Sequence, residues 1–324
     1  MKAVIYGAGA IGGWMGVKLA QAGHDIGVVA RGATLAALRE HGLRLMEGGE
    51  TQTVRVRAAE DPAELGVQDL VVVAVKGPAM ASVAAHIAPL LGPQSLVLTA
   101  MNGVPWWFCD GLGGEFAGKR LKSVDPDGAI AAAIPGEQTV GCVVHASCLV
   151  EAPGVIRHHQ GNGLIVGEAA GRPSERVKAL TEVLVAAGFN ASMSKQIQRD
   201  VWYKLWGNMT MNPISAMTGA TTDRILSDEL VRNFVTSIML EAKEIGARFG
   251  IPIDQAPQDR HAVTLKLGAM KTSMLQDVEA RKPVELDALV SAVRELGQLT
   301  GVQTPYTDAL LGLARLHAST LGLY

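Results

Sequence analysis

The chain has 324 residues, 48% of them hydrophobic and 19% charged, and a net charge of −2. Such a length asks for two hydrophobic cores, and such a composition excludes a disordered interaction chain. With no block of Lys and Arg, nucleic acid and anionic membrane surfaces are excluded as expected partners, and no apolar run reaches the ~18 residues of a membrane span.

The first element is an apolar run, Lys2 to Tyr6, followed by Gly7-Ala8-Gly9-Ala10-Ile11-Gly12 and a helical stretch from Gly13 to Ala22 closed by Gly23. A G-x-G-x-x-G loop between a strand and a helix is the context in which that motif binds a dinucleotide. Gly7 serves the tight turn, Gly9 the approach of a diphosphate, and Gly12 the close packing of helix on strand. The diphosphate is expected at the helix N-terminus, where unpaired N–H groups and the helix dipole favour negative charge. A second strand, Asp25 to Ala30, ends in Arg31. An acid at that place would accept from the ribose 2′-hydroxyl of NAD; an arginine suits the 2′-phosphate of NADP.

Further strands are expected at Thr53–Val56, Leu70–Val75 and Leu96–Thr99, with a crossover helix over Met80–Leu91. The run LVVVAV shows no polar alternation, as a central strand covered on both faces requires. Lys76 follows it at the carboxyl edge, where open α/β sheets bind ligands, and is assigned to the cofactor's adenosine phosphate. Asn102-Gly103 follows the next strand at the same edge. Residues 141–167 read as an antiparallel extension of the sheet, and Arg172–Ala187 as a helix. His145, Cys142 and Cys148 lie in that extension. His158-His159 has no ligand-spaced partner and reads as a turn, not a metal site. Cys109, Cys142 and Cys148 are odd in number and lack C-x-x-C spacing, so they read as small buried hydrophobes in a reducing compartment. With no signal-peptide cleavage pattern after the first strand, the expected location is cytoplasmic.

Beyond Ile197 the strand signals stop. Helices are expected over Gln198–Met211, Asp228–Phe249, Gln258–Leu267, Pro283–Thr300 and Thr304–Thr320. The fold class is therefore a Rossmann-type α/β nucleotide-binding domain, residues 1–195, followed by an all-α domain, residues 196–324. On the first of these helices Lys204, Asn208 and Asn212 recur at i, i+4 and i+8 and share one face. Their neighbours Val201, Trp202, Leu205, Trp206 and Met209 are large and apolar, so this is not an ordinary solvated face. Reduction of a ketone leaves an alkoxide that needs a proton donor within hydrogen-bond reach, and a partly desolvated lysine can supply it. Pro213 removes a partner from the Met209 carbonyl and biases Asn212 away from helical geometry, so a kink is expected there.

Taken together, GAGAIG with Arg31, VKG at Lys76, MNG at Asn102, KLWGNMTMNPISAMTG from Lys204 and TSMLQDVEARKPVEL around Ser273 and Glu285 resemble the ketopantoate reductase family along the whole chain. The resemblance implies NADPH-dependent reduction of a 2-keto acid, ketopantoate to pantoate in the family reaction. It implies Lys204 as the general acid and Glu285 as a second active-site residue. It assigns Asn102, Asn208, Asn212 and Ser273 to the substrate, and Gly7, Ala8, Gly9, Ala10, Ile11, Gly12, Arg31, Lys76 and Asn102 to NADP. Closure of the helical domain onto the nucleotide domain is part of the same implication. Trp106 and Trp107, after Asn102-Gly103, depart from the family pattern and point to a bulkier or more apolar substrate. Two other readings stay open at this level: an NADP-dependent dehydrogenase of a different hydroxy acid or opine-like substrate, and a non-catalytic NADP sensor. A homodimer is the default assembly.

Overall fold

The computed structural model describes residues 1–324. They form two compact units: residues 1–101 with 128–197, and residues 102–127 with 198–324. The chain passes between the units three times; the boundary expected near residue 195 lies beside the last of these passages, and residues 102–127 belong to the second unit as well. The physical reason lies in the apolar content of the 102–127 segment. Its Phe108 packs on Trp202 and Phe249, and its Phe116 meets Phe249 edge to face at 5.1 Å.

The first unit is built from strands β1 (Lys2–Tyr6), β2 (Asp25–Val29), β3 (Leu43–Glu47), β4 (Glu50–Val54), β5 (Arg57–Ala59), β6 (Leu70–Val73), β7 (Leu96–Thr99), β8 (Thr139–Ala152), β9 (Val155–Glu168) and β10 (Asn190–Met193). Its helices are α1 (Ala10–Gln21), α2 (Gly32–His41), α3 (Met80–His86), α4 (Ala129–Ala133) and α5 (Glu175–Ala186). One sheet runs in the order β4-β3-β9-β8-β7-β6-β1-β2-β5, with β10 beside β9. Only β3–β4 and β8–β9 pair antiparallel; the latter is the expected extension. All four residues of β6 are buried, as an unalternating apolar strand requires.

Helix α1 is the centre of this unit. It touches β1 and β2 from one side of the sheet order and β3, β4, β8 and β9 from the other, so the sheet curls around it. A helix enclosed in this way is apolar nearly all round, and Trp14, Met15, Val17 and Leu19 are fully buried. Its small residues make the fit. A Cβ added at Gly13 would lie 2.5 Å from Ile156 on β9, and one at Gly16 would lie 3.0 Å from Leu43 and 3.1 Å from Ile5. The strand expected at Thr53–Val56 is the second arm of the β3–β4 hairpin, and β3 itself was not anticipated.

The second unit contains α6 (Ile197–Thr218), α7 (Thr222–Ser227), α8 (Glu229–Arg248), α9 (Pro257–Leu265), α10 (Ser273–Glu279), α11 (Ala292–Thr300) and α12 (Pro305–Thr320). A π turn, Asp287–Ser291, leads into α11. The core is formed by Trp202, Trp206, Ile238, Met239, Ile245, Leu289, Val293, Leu296 and Leu310. Helix α6 runs on through Pro213 to Thr218 instead of ending near Met211. Burial of Met211, Ile214 and Ala216 opposes the loss of one helical hydrogen bond there. The polar stretch near Thr272 is itself a helix start: the Thr272 hydroxyl accepts from Leu275 N at 3.2 Å and caps α10. No helix is long and apolar enough to cross a membrane.

Candidate active site

The glycine loop sits between β1 and α1 with the geometry a diphosphate needs. Gly7 has φ +101°, and a Cβ there would fall 2.7 Å from Val75. A Cβ at Gly12 would fall 2.1 Å from the Gly7 carbonyl and 2.9 Å from Ile5, so helix and strand touch at backbone distance. Gly9 is different: nothing lies within 4 Å of its Cβ position. Gly9 caps α1 without a side chain, and the first turn carries no acid. The N–H groups of Ala10 and Ile11 head a twelve-residue helix, next to the open space at the Gly9 Cβ position. Residues Gly7 to Gly12, Ala8 among them, form a cradle that a Cβ would fill, and it fits a dinucleotide diphosphate.

Arg31 stands at the carboxyl end of β2, exposed, and opens α2. Burial pushes the Tyr6 phenol up from its ordinary range, with the Arg31 charge opposing and Asp61 adding to the effect. Lys76, half-buried, follows β6 at the same edge of the sheet and opens the short turn Gly77–Ala79.

In the helical unit, α6 presents Lys204, Asn208 and Asn212 along one face over roughly 12 Å, from the helical rise of 1.5 Å per residue. Lys204 Nζ donates to Asn102 Oδ1 at 2.8 Å. Asn212, 5% exposed, points Nδ2 at Ser273 Oγ, 3.4 Å away, at the first turn of α10. Four of the expected substrate and catalytic residues thus form two pairs, one near each end of the face, and half-buried Asn208 lies between them. Glu285 precedes the π turn, and its carbonyl accepts from Leu289 N at 3.3 Å.

The apolar side of α6 fixes this face. Trp206 Nε1 donates to the Met239 carbonyl at 2.7 Å, which locks α6 to α8. Trp202 lies against Gly246 so closely that a Cβ there would meet its Nε1 at 2.4 Å. The loop carrying Asn102 is held as tightly: Val104 N donates to the Ala288 carbonyl at 2.8 Å. Ala288, within the π turn, was not a sequence candidate. The one available signal was Asn-Gly, a pair that announces a backbone with positive φ.

Trp106 and Trp107 are 6% and 2% exposed, so they belong to the core of the helical unit. The pair packs; it does not form an open rim. Burial pushes the Cys109 and Cys148 thiols up to about 12, away from the nucleophilic thiolate form. His158 lies in β9 and not in a turn; Nδ1 is 2.9 Å from Glu47, and the ring stacks on Trp14. No three His, Cys, Asp or Glu side chains are grouped closely enough to hold a metal ion.

Two family models match the chain. Ketopantoate reductase PanE/ApbA covers residues 3–171, and Ketopantoate reductase PanE/ApbA C terminal covers residues 196–318. A 2-dehydropantoate 2-reductase of Mesorhizobium japonicum is 47% identical over the full length of both chains. The crystal structure of a putative ketopantoate reductase from Ralstonia solanacearum MolK2 is 57% identical, with TM-score 0.96 over 100% of this chain and 99% of that one. D-mandelate dehydrogenase, solved with NADH and anilino(oxo)acetate, is 22% identical with TM-score 0.86 over the whole of both chains, a likeness of fold.

Proposed function

The chain belongs to the ketopantoate reductase family, and on that premise we propose that it reduces ketopantoate to pantoate with NADPH, using Lys204 as general acid. The observation that carries this reading is the Lys204–Asn102 hydrogen bond on a helix face that also bears Asn208 and Asn212. A sensor of the cofactor needs the glycine loop and Arg31 but has no use for that face.

NADPH, when bound, supplies the hydride that reduces the keto carbon. The chain's residues do the rest. Gly7 to Gly12 and the head of α1 hold the diphosphate; Arg31 and Lys76 meet the adenosine phosphate. Asn102 accepts one of the three ammonium protons of Lys204 and so fixes the direction of its Nζ. Lys204 then delivers a proton to the oxygen that becomes the hydroxyl, and its charge attracts the substrate carboxylate. Asn208, Asn212 and Ser273 provide amide and hydroxyl groups for the carboxylate and the distal hydroxyl. Glu285 is assigned to the same site by the family motif. The burial of Trp106 and Trp107 supports the family substrate over a bulkier one, because neither ring is available to reshape an open rim.

The reading carries with it a cytoplasmic location and a homodimer, for which exposed Leu240 on α8 and Leu313 and Leu316 on α12 offer apolar surface. The test is loss of NADPH absorbance with purified protein and ketopantoate, beside bulkier 2-keto acids. Turnover with ketopantoate at the highest kcat/KM of the series is expected. Preference for another keto acid would refute the substrate and leave the reductase; inertness with tight NADPH binding would favour the sensor.

A further inference from the structure

Asn102 is the partner of Lys204, yet it stands on a loop and not on a helix or strand, and loops are ordinarily the less rigid part of a fold. Three observations show what steadies it. Gly103 has φ +83°, a conformation that L side chains rarely adopt, and a Cβ there would lie 2.6 Å from Ala288 Cβ and 2.7 Å from the Ala288 carbonyl oxygen. Val104 N donates to that same carbonyl at 2.8 Å. Ala288 lies in the π turn Asp287–Ser291.

The turn is itself pinned. The Asp287 carboxylate accepts from the Tyr324 hydroxyl at 2.7 Å and from the Ser291 hydroxyl at 3.1 Å. Just before it, Val284 N donates to the Leu323 carbonyl at 3.1 Å. A π turn is rare and recurs at functional sites. Here it offers a carbonyl and a bare methyl to a backbone that has no room for a side chain.

We propose that Ala288 and its π turn are the positioning element for Asn102, and through Asn102 for the Lys204 ammonium. The inference rests on the reading of Lys204 as proton donor. Asn102 would touch the reacting centre; Ala288 and Gly103 act only through it. An error of about 1 Å in such an arrangement can cost on the order of 10²-fold in rate.

The test is a double-mutant cycle of Asn102→Ala and Gly103→Ala in the full-length enzyme. Gly103→Ala should lower kcat about 10- to 100-fold by displacing Asn102, with any loss of NADPH affinity no greater than that of Asn102→Ala. The alkaline limb of the kcat profile should move to lower pH, because a lysine that loses its acceptor holds its proton less well. Asn102→Ala should move the limb the same way, and the double variant should be no slower than Asn102→Ala alone. Additive losses would overturn the proposal, since a merely structural Gly103 acts whether or not Asn102 is present. Ala288→Gly, which removes the methyl under Gly103 without adding bulk, keeps the question decidable if Gly103→Ala does not fold. A smaller kcat loss with the same limb shift is expected, and an unmoved limb would refute it. If Lys204→Ala retains turnover, the general-acid reading fails first; if it loses turnover while the Gly103 and Ala288 variants do not, only the positioning role falls.

Discussion

In the nucleotide-binding unit, Gly7, Gly9 and Gly12 fall within six consecutive residues; Gly12 is crowded first by Gly7 and Ile5, and Gly7 by Val75 beyond the end of β6. In the helical unit, Lys204 meets a partner 102 residues away, and Asn212 meets one 61 residues away. The first arrangement is carried on one continuous stretch of strand, loop and helix. The second exists only when a whole core has assembled. Damage to the cradle should therefore be felt in cofactor binding, and damage to the α6 face in turnover with binding preserved.

The sharpest test of that division is Lys204→Ala. Loss of a general acid should lower kcat by roughly 10²- to 10⁴-fold, while NADPH titration followed by nucleotide fluorescence stays at its wild-type midpoint. A parallel loss of NADPH affinity would show that α6 helps build the cofactor site and would dissolve the contrast. The matching test of the cradle is Gly12→Ala. Its methyl would lie 2.1 Å from the Gly7 carbonyl, a backbone atom with nowhere to go. Overpacking of this kind costs about 1–3 kcal/mol, and here it should appear as weakened binding of NADPH and NADH alike.

Arg31→Asp separates the two dinucleotides. A charged hydrogen bond to phosphate contributes about 1.5–3 kcal/mol, so NADPH affinity should fall by about 10- to 100-fold or more, given the added like-charge repulsion. NADH affinity should change little, because Arg31 is exposed and no helix or strand depends on its side chain. Equal losses for both cofactors would make Arg31 a structural residue and remove the argument for NADP.

The same contrast explains what could be read from the sequence. The cradle was legible because its three glycines, the strand before them and the helix after them are consecutive in the sequence. The α6 face was legible because i, i+4, i+8 spacing is a property of one helix. Strand β3 was missed although Leu43-Arg44-Leu45 alternates and Gly48-Gly49 follows it; its pairing with β9 lies more than a hundred residues away. The continuation of α6 beyond Pro213 was missed for a related reason. Local rules end a helix there, and tertiary burial of Met211 and Ile214 overrides them. The joining of residues 102–127 to the helical unit, and the seat of Gly103 on Ala288, are long-range in the same sense. Nothing near Asn102 names its support.

The smallest expected effect bears on the stability of the helical unit alone. His261 on α9 is 6% exposed, and its Nε2 is buried without a hydrogen-bond partner. Burial, and to a lesser degree the Arg232 charge, hold its imidazole below the usual histidine range. In the unfolded chain the same group titrates near ~6.5. Between the depressed native value and ~6.5 the unfolded state binds more protons, so this residue's contribution is complete above ~6.5 and is lost as the pH falls toward the native value. Thermal midpoints taken from pH 8 to pH 5 should therefore decline on the acid side, and His261→Leu should flatten part of that decline while leaving NADPH binding intact. The residue lies in the unit without the glycine cradle, so a variant that flattened the pH profile and also weakened NADPH would overturn a purely structural role for His261.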